Sequence, residues 1–311
     1  MIRILANDKI SDCAVNNIKN LGYELTEHHY SKEELLEEIG NYHAIIVRSA
    51  TKLKKDLIDA GIKGKLSLII RAGVGLDNID VEYAESKGIE VLNTPNASSS
   101  AVAELAIGQM FALSRHIYIS NVTMRDGQWN KKLYKGVEVN GKTLGIIGFG
   151  RIGQEVAKRA HALGMSVLYN TRSGEKSGFE EYKYVSLEEL IQSSDIITLH
   201  VPFIKEKGAF LGKAEFEQMK DGVMIINTAR GGVINEDALL EALDSGKVAA
   251  AAIDVFEKEP LASEEIMSHD KISLTPHIGA STHEAQDRIG EEIYDRIKKH
   301  FDNEEEVYVH C

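Results

Sequence analysis

The chain has 311 residues, more than a single hydrophobic core usually supports, so we expect two domains. Its 43% hydrophobic and 27% charged residues are typical of a globular protein, and a formal net charge of −12 argues against binding to nucleic acids. No run approaches the roughly 20 apolar residues of a membrane span, and the start MIRILANDKI does not resemble a signal peptide. We therefore expect a cytoplasmic protein without nucleic-acid or membrane partners.

The two cysteines, Cys13 and Cys311, lie near opposite ends of the chain and match no metal-binding or redox spacing. In a reducing compartment we expect both to be free thiols. The sequence accordingly predicts neither a disulfide nor a metal site.

The first third of the chain alternates short apolar runs with helical patterns. We predict strands over residues 2–6, 23–27, 44–47, 66–70 and 90–92, and helices that begin near Ser11, Ser31, Lys54 and either Asn78 or Asp80. The apolar runs show little alternation, which favours a parallel sheet buried on both faces. A long apolar helix over 98–114 follows the turn-rich NTPNASSS, and we place the first domain crossing there.

The segment 121–140 is predicted to be irregular; it contains Trp129 and either faces a partner subunit or covers its own domain. Strand–helix alternation then resumes, and a charged helix from Thr282 to about His300 is expected to return to the first domain. The further strands are predicted at 166–169, 196–200, 223–227, 250–254 and 272–276.

The predicted fold class is α/β, with two doubly wound parallel-sheet domains of Rossmann or flavodoxin type. We expect a discontinuous substrate-binding domain over 1–98 plus 284–311, and a dinucleotide-binding domain over 99–283. The active site is expected in the cleft between them.

Gly148, Gly150 and Gly153 form a GxGxxG motif between the predicted strand TLGII and the helix RIGQEVAKRAHALG. The first glycine permits a tight turn, the second lets the backbone approach a pyrophosphate, and the third allows close helix packing. The amides of Arg151 and Ile152 at the helix N-terminus are predicted to face the phosphates. A purely structural glycine turn is the alternative, but the strand before and the helix after favour dinucleotide binding.

The acid expected about 20 residues after this motif is missing. The next predicted strand ends instead in Tyr169-Asn170-Thr171-Arg172-Ser173. A hydroxyl and a guanidinium at Thr171 and Arg172 suit a 2′-phosphate, which an aspartate would repel. The alternative is that Arg172 is a solvated loop residue. We predict NAD or NADP as the cofactor, with tolerance of NADP.

Three segments follow or form the carboxyl ends of predicted strands: NTARGGVINEDAL at 227–239, AAIDVFEKEP at 251–260 and TPHIGAST at 275–282. These residues resemble the D-2-hydroxyacid dehydrogenase family, and the resemblance covers nearly the whole chain. It implies a nicotinamide-dependent oxidoreductase that interconverts a small 2-hydroxy acid and a 2-keto acid. It also implies a homodimer joined through the nucleotide-binding domains.

The resemblance identifies Arg230 as the substrate arginine, Glu259 as the buried acid and His277 as the acid/base. Imidazole titrates near neutrality, as the transfer of a hydroxyl proton requires, and a carboxylate partner orients it and stabilises the imidazolium. The planar fork of an arginine can hold the substrate carboxylate and polarise its carbonyl. The alternatives are that Glu259 only begins a turn at Pro260 and that Arg230 only caps the next helix.

The remaining cofactor contacts are predicted close to the ends of these strands. Asp254 resembles the residue that binds the nicotinamide carboxamide. The other predicted contacts are His200, Val201, Pro202, Thr228, Ala229 and Gly279.

Two segments of the first domain, VRSATK at 47–52 and RAGVGLDNID at 71–80, resemble the 3-phosphoglycerate dehydrogenase branch of the family. In that branch the AGVG turn offers backbone amides to the substrate carboxylate, which implies this role for Val74 and Gly75. Arg48, with Ser49 beside it, resembles the phosphate-binding arginine; a surface ion pair is the alternative. We expect no C-terminal regulatory domain of the kind found in longer relatives.

The resemblance therefore implies oxidation of 3-phosphoglycerate to 3-phosphohydroxypyruvate, a step of serine synthesis. Because Thr171-Arg172 looks more like NADP-linked enzymes, a reductase of hydroxypyruvate, glyoxylate or another 2-keto acid is the alternative. A nucleotide-sensing protein similar to the C-terminal-binding-protein corepressors is a further alternative, since such relatives also retain the catalytic trio.

Overall fold

The computed structural model describes residues 1–308 and the side chains of residues 1–302. Its backbone divides into two compact units: the first comprises Met1–Ser98 and the chain from Ala280 onward, and the second comprises Ser99–Gly279. The predicted return to the first unit, at residue 284, lies four residues after the observed one at Ala280. Cys13 is a free thiol, whereas Cys311 lies outside the described residues.

The first unit is a five-stranded parallel sheet with helices packed on it, in the strand order β2-β1-β3-β4-β5. Its elements are β1 Arg3–Ala6, α1 Asp12–Asn20, β2 Glu24–Glu27, α2 Lys32–Glu38, β3 Ala44–Val47, α3 Lys55–Ile62, β4 Leu68–Arg71, α4 Val81–Ser86 and β5 Glu90–Asn93, with α12 His283–Tyr308 at the end of the chain. The chain reverses its direction across the sheet between β1 and β3.

Both faces of this sheet are buried, which explains why its strands read as continuous apolar runs. Successive residues of β1 point to opposite faces: Ile4 packs in one hydrophobic cluster and Leu5 in another. Helix α12 covers the Ile4 face with residues at helical spacing, Ile289, Ile293 and Ile297. Burial of each such side chain stabilises the unit by roughly 1.5–3 kcal/mol, so α12 belongs to this core.

The second unit is a seven-stranded parallel sheet in the order β12-β11-β10-β9-β6-β7-β8. Its elements are α5 Ser99–Ser114, α6 Ile117–Arg125, β6 Thr143–Ile147, α7 Arg151–Ala162, β7 Ser166–Asn170, β8 Lys183–Tyr184, α8 Leu187–Ser193, β9 Ile196–Leu199, α9 Lys213–Gln218, β10 Val223–Asn227, α10 Glu236–Asp244, β11 Val248–Ile253, α11 Glu264–Ser268 and β12 Ile272–Leu274. Here the direction reverses between β6 and β9. Open parallel sheets bind ligands at the carboxyl ends of strands beside such a reversal.

The predicted α/β class with two parallel sheets is confirmed. One local prediction was wrong: the segment 121–140 is not irregular throughout, because α6 extends to Arg125. No described helix is both long and apolar enough to cross a membrane, and the described residues contain no group of three His, Cys, Asp or Glu side chains arranged to hold a metal ion.

Candidate nucleotide-binding and catalytic site

Of the three glycines of the GxGxxG motif, Gly148 and Gly150 lie between β6 and α7, whereas Gly153 lies in the first turn of α7, and the three face different surroundings. Gly148 has a φ of +98°, and a Cβ there would lie 2.4 Å from the carbonyl oxygen of His200. A Cβ on Gly153 would lie 2.2 Å from the carbonyl oxygen of Gly148. A Cβ on Gly150 would meet nothing within 4 Å. The first and third glycines are therefore required by packing, whereas the second lies beside open space into which a ligand can fit.

Two buried polar atoms beside this turn fit a dinucleotide. Nδ1 of His200, after β9, and Oγ1 of Thr228, after β10, are buried and have no hydrogen-bond partner in the described structure. Burial lowers the pKa of His200 to about 3, so the ring is neutral at physiological pH and contacts Thr198 Oγ1 through Nε2 at 3.0 Å. Buried polar groups are rarely left unsatisfied, and a bound cofactor would supply partners.

The N-terminus of α7 completes the phosphate-binding geometry. Gly150 is the N-cap residue and provides no side chain to accept from the first-turn amides. These amides, which include those of Arg151 and Ile152, are therefore available to an anion, and the helix dipole favours negative charge there. Of the other predicted contacts, Ala229 is buried, while Val201 and Pro202 lie in the loop after β9.

The adenosine end of the predicted site carries no acid. Strand β7 ends at Asn170, whose side-chain amide donates to the carbonyl oxygen of Val185 at 2.8 Å. Thr171 is half-buried, and Arg172 is exposed. Within the described part of the chain, Arg172 makes neither an ion pair nor a hydrogen bond, so its guanidinium is available to a ligand.

Arg230 lies in a turn that begins where β10 ends. The side chain of Asn227 holds this turn: its Oδ1 accepts from the Ala229 amide and its Nδ2 donates to the Arg230 carbonyl, both at 3.0 Å. Nη1 of Arg230 donates to the Ala229 carbonyl at 2.6 Å. The turn thus fixes the start of the arginine side chain at the carboxyl edge of the sheet.

The His277 and Glu259 side chains meet. Nδ1 of His277 lies 2.8 Å from Oε2 of Glu259, and both side chains are about one-third exposed, at 36% and 35%. Glu259 Oε1 also accepts from the Phe256 amide at 3.2 Å. Because Nδ1 is engaged by the carboxylate, Nε2 is the ring nitrogen left to face a substrate.

The Glu259 carboxyl is stabilised in its ionised form. Burial raises its pKa, but the hydrogen bond and charge of His277, the Phe256 amide and the charge of Arg230 together bring the pKa below its usual range. The structure therefore brings the three predicted catalytic residues into one electrostatic environment.

Asp254 holds the loop on which His277 lies. Its carboxylate is 1% exposed and accepts from the Thr275 hydroxyl at 2.6 Å, the Ile278 amide at 2.9 Å and the Gly279 amide at 3.0 Å. These contacts place Asp254 behind the loop. Its predicted contact with the nicotinamide carboxamide stays a prediction.

In the first unit, the loop that carries Arg48 and Ser49 is held by a residue that sequence reasoning missed. Asp8 is 6% exposed, and its carboxylate accepts from the Arg48 amide at 2.6 Å and from the Thr51 hydroxyl at 2.8 Å. Asn78 donates to the carbonyl oxygens of Arg48 and Thr51, both at 2.7 Å. The only sequence signal for Asp8 is its position just after β1, beside the reversal point of this sheet.

Arg48 also lines a cavity of about 370 Å³ within the first unit, together with Lys9 and His283. Asp12 and Asp287 line the same cavity. Val74 and Gly75, in the turn after β4, have backbone amides that donate no hydrogen bond to any described residue. Both features leave polar groups of this unit available to an anionic ligand.

Comparisons with known proteins agree with this geometry. A family model described as "D-isomer specific 2-hydroxyacid dehydrogenase, NAD binding domain" matches residues 107–279. The chain is 48% identical to a hydroxypyruvate reductase of Thermotoga maritima, over 96% of this chain and 97% of that protein. It is 44% identical to a D-3-phosphoglycerate dehydrogenase of Methanocaldococcus jannaschii over 96% of this chain. The matched region is only 57% of that longer protein.

A solved glyoxylate reductase from Paecilomyes thermophila superimposes with a TM-score of 0.86 at 34% identity, covering 96% of this chain and 94% of that one. The three relatives are each matched over 96% of this chain, and the region matched by the family model includes the glycine turn and the His277–Glu259 pair. The chain therefore belongs to the D-2-hydroxyacid dehydrogenase family and is an oxidoreductase that uses a nicotinamide dinucleotide.

Proposed function

We propose that this chain interconverts 3-phosphoglycerate and 3-phosphohydroxypyruvate with NAD or NADP. The observation that supports the chemistry is the 2.8 Å contact between His277 and Glu259, close enough to Arg230 for its charge to act on the carboxylate. A 2-hydroxy acid needs one group to take the hydroxyl proton and another to bind its carboxylate, and these side chains provide both.

In the direction of reduction, the nicotinamide supplies a hydride to the carbonyl carbon when it is bound. The imidazolium of His277 donates a proton from Nε2 to the carbonyl oxygen, so that the keto group gains one hydride and one proton. Glu259 keeps the ring oriented and stabilises its charged form through Nδ1. Arg230 binds the substrate carboxylate and polarises the carbonyl oxygen.

The assignment of a phosphorylated substrate rests on the first unit. Arg48 and Lys9 line one cavity, and the guanidinium can form two parallel hydrogen bonds with a phosphate. The amides of Val74 and Gly75 have no acceptor in the described structure, which suits the substrate carboxylate. The loop of Arg48 is clamped by Asp8, so the arginine is held on a rigid backbone.

The second candidate is reduction of hydroxypyruvate or glyoxylate. It is favoured by the 48% identity to a hydroxypyruvate reductase along 97% of that protein's length. The phosphoglycerate dehydrogenase from Methanocaldococcus jannaschii is matched over little more than half of its length. Asp12 and Asp287 in the Arg48 cavity also oppose a phosphate group.

Steady-state kinetics with 3-phosphohydroxypyruvate and hydroxypyruvate separate the two candidates. We expect kcat/KM to be higher for the phosphorylated acid, and Arg48→Ala to lower that value at least about tenfold while leaving hydroxypyruvate turnover nearly unchanged. Lys52→Ala, a charge removed from the same loop, is the control. An equal loss on both substrates would contradict the phosphate assignment, and nucleotide binding without turnover of any 2-keto acid would favour the nucleotide sensor.

For the cofactor, we propose that NADP is accepted because Arg172 is exposed and has no partner within the described residues. The same assays run with NADH and NADPH address this point. Arg172→Ala is expected to weaken NADPH binding selectively, and equal effects on the two nucleotides would identify Arg172 as a solvated loop residue.

We further propose that the chain forms a homodimer through the surface around α6. Six large apolar side chains of this segment are exposed: Ile117, Val122, Met124, Trp129, Leu133 and Val137. An apolar surface of this kind usually marks an interaction site. We refer to these six residues as the α6 surface.

A further inference from the structure

Helix α5 is mostly apolar, yet it contains one buried amide. Gln109 is 5% exposed, in a helix whose buried neighbours include Ala106, Met110 and Leu113. A buried amide destabilises a protein unless both of its ends are hydrogen-bonded. Here Oε1 accepts from the Ser273 hydroxyl at 2.7 Å, and Nε2 lies 3.4 Å from the Thr275 hydroxyl.

These hydrogen bonds form a chain in which the order of donors and acceptors is fixed. Since Ser273 donates to Oε1 of Gln109, the Nε2 end of the amide is the donor toward Thr275. The Thr275 hydroxyl in turn donates a hydrogen bond to Oδ1 of Asp254, at 2.6 Å. Consecutive hydrogen bonds in a buried site polarise and strengthen one another.

The chain ends at the backbone that carries the candidate acid/base. The Asp254 carboxylate accepts from the amides of Ile278 and Gly279, the two residues that follow His277. His277 itself has a φ of +54°, a left-handed conformation that is uncommon for a non-glycine residue. The Thr275–Gly279 segment therefore depends on Asp254 for its shape.

We propose that Gln109 is a positioning residue for His277: from helix α5 it fixes the Thr275 hydroxyl, which fixes Asp254 and so the left-handed loop. The proposal rests on the proposed function for the role of His277, but its structural content can be measured independently of turnover. Gln109 touches neither the substrate nor the proton that is transferred. Its contribution is to hold the imidazole where Nε2 can reach the carbonyl oxygen.

Four variants test this chain of contacts. Gln109→Met removes the amide at similar volume, Thr275→Val removes the hydroxyl, and Thr275→Ser keeps it. Ser114→Ala is the matched control, because Ser114 is also a buried polar residue of α5 but its hydroxyl donates to the Met110 carbonyl within the helix. Hydrogen exchange of the Ile278 and Gly279 amides in the nucleotide-free protein, the dissociation constant of the nucleotide, and kcat are measured for each.

In Gln109→Met and Thr275→Val we expect exchange of the two amides to accelerate about tenfold. We also expect kcat to fall about tenfold, while the nucleotide dissociation constant changes less, because most of the predicted cofactor contacts lie outside this segment. Thr275→Ser should behave like the unmodified chain. A double variant that combines Gln109→Met with Thr275→Val should lose no more activity than Thr275→Val alone, because both changes break the same chain of contacts. If the exchange rates of the two amides and kcat in both Gln109→Met and Thr275→Val equal those of Ser114→Ala, the proposal is overturned.

The variant His277→Ala, assayed in parallel, distinguishes a failure of the proposed function from a failure of the positioning role of Gln109. If His277→Ala retains turnover, the proposed function fails whatever the exchange rates show. If turnover is abolished while Gln109→Met and Thr275→Val change neither exchange nor kcat, only the positioning role fails.

Discussion

At the scale of single residues, the hydrogen bond between His277 and Glu259 changes the acid–base properties of the Glu259 carboxyl. Burial alone would raise the pKa of Glu259, but the hydrogen bond from His277 is the largest of several effects that bring it below the usual range. The carboxylate therefore remains ionised at pH values where an unpaired one would be protonated. Its stabilising contribution is lost as the pH falls through this lowered pKa.

Glu259→Gln is expected to keep a hydrogen bond to His277 but to remove the charge that favours imidazolium. We predict a loss of kcat of roughly a hundredfold, and a shift to lower pH of the alkaline limb of the profile for keto-acid reduction. Profiles of kcat and of kcat/KM between about pH 5 and pH 9 measure both effects. Glu264→Gln, an exposed carboxyl of α11, is the control. An unchanged alkaline limb in Glu259→Gln would contradict the assigned role.

At the scale of elements, both sheets place their candidate residues beside the point where the strand order reverses. In the second unit the glycine turn after β6 adjoins His200 after β9, and in the first unit Asp8 after β1 binds the Arg48 amide after β3. The reversal leaves the two adjacent loops diverging from each other, so that a ligand can lie between them. The sites thus follow from the strand order.

The glycine turn gives a prediction with an internal control. In Gly153→Ala the new methyl group would lie 2.2 Å from a backbone oxygen, so we expect the free energy of unfolding to fall by about 1–3 kcal/mol. Gly150→Ala has open space around it and should cost less than about 1 kcal/mol, since only the N-cap preference changes. Gly150→Ala should nevertheless weaken NADH binding at least about tenfold, because the methyl group occupies the approach of the phosphates.

Urea unfolding and fluorescence titration with NADH measure these two quantities. The opposite ranking, with Gly150→Ala the less stable protein and NADH binding intact, would show that the open space beside Gly150 is not the phosphate site.

At the scale of the whole molecule, the α6 surface is notable because its apolar side chains are exposed and do not pack in the core of the second unit. Met124 is 51% exposed there, and Trp129 is 78% exposed. Scattered apolar residues are normal on a protein surface, but six within one short segment are not. Under the proposal made above, a second copy of the chain covers this surface.

Two methionines allow a matched test of this surface. Met124, on α6, and Met267, on α11, are 51% and 50% exposed, so Met124→Glu and Met267→Glu introduce the same charge at equal exposure. We predict that Met124→Glu raises the dimer dissociation constant at least about tenfold while Met267→Glu does not. Light scattering after size-exclusion chromatography measures the mass of each protein. A monomeric unmodified chain would refute the proposal directly.

Much of the fold was predictable because its signals are local. Parallel strands buried on both faces read as apolar runs, and the glycine turn carries its own backbone requirements at Gly148 and Gly153. Helix α6 was missed because its sequence has no strong cap: His116 at its N-cap has a φ of +52° and makes no side-chain hydrogen bond to it. Without such a signal, a nine-residue helix is hard to distinguish from an irregular segment.

By itself, the sequence determined the α/β class, the nucleotide-binding turn and the three motifs that carry Arg230, Glu259 and His277. Only the tertiary structure decided which polar groups support them. Gln109 and Thr275 are 166 positions apart, and Asp8 and Arg48 are 40 apart, so no local pattern connects either pair. The Asp8–Arg48 bond exists because parallel strands bring distant loops to one edge of a sheet, and the Gln109–Thr275 bond exists because α5 packs beside β12. In both places a buried polar group must find a partner that only the fold provides.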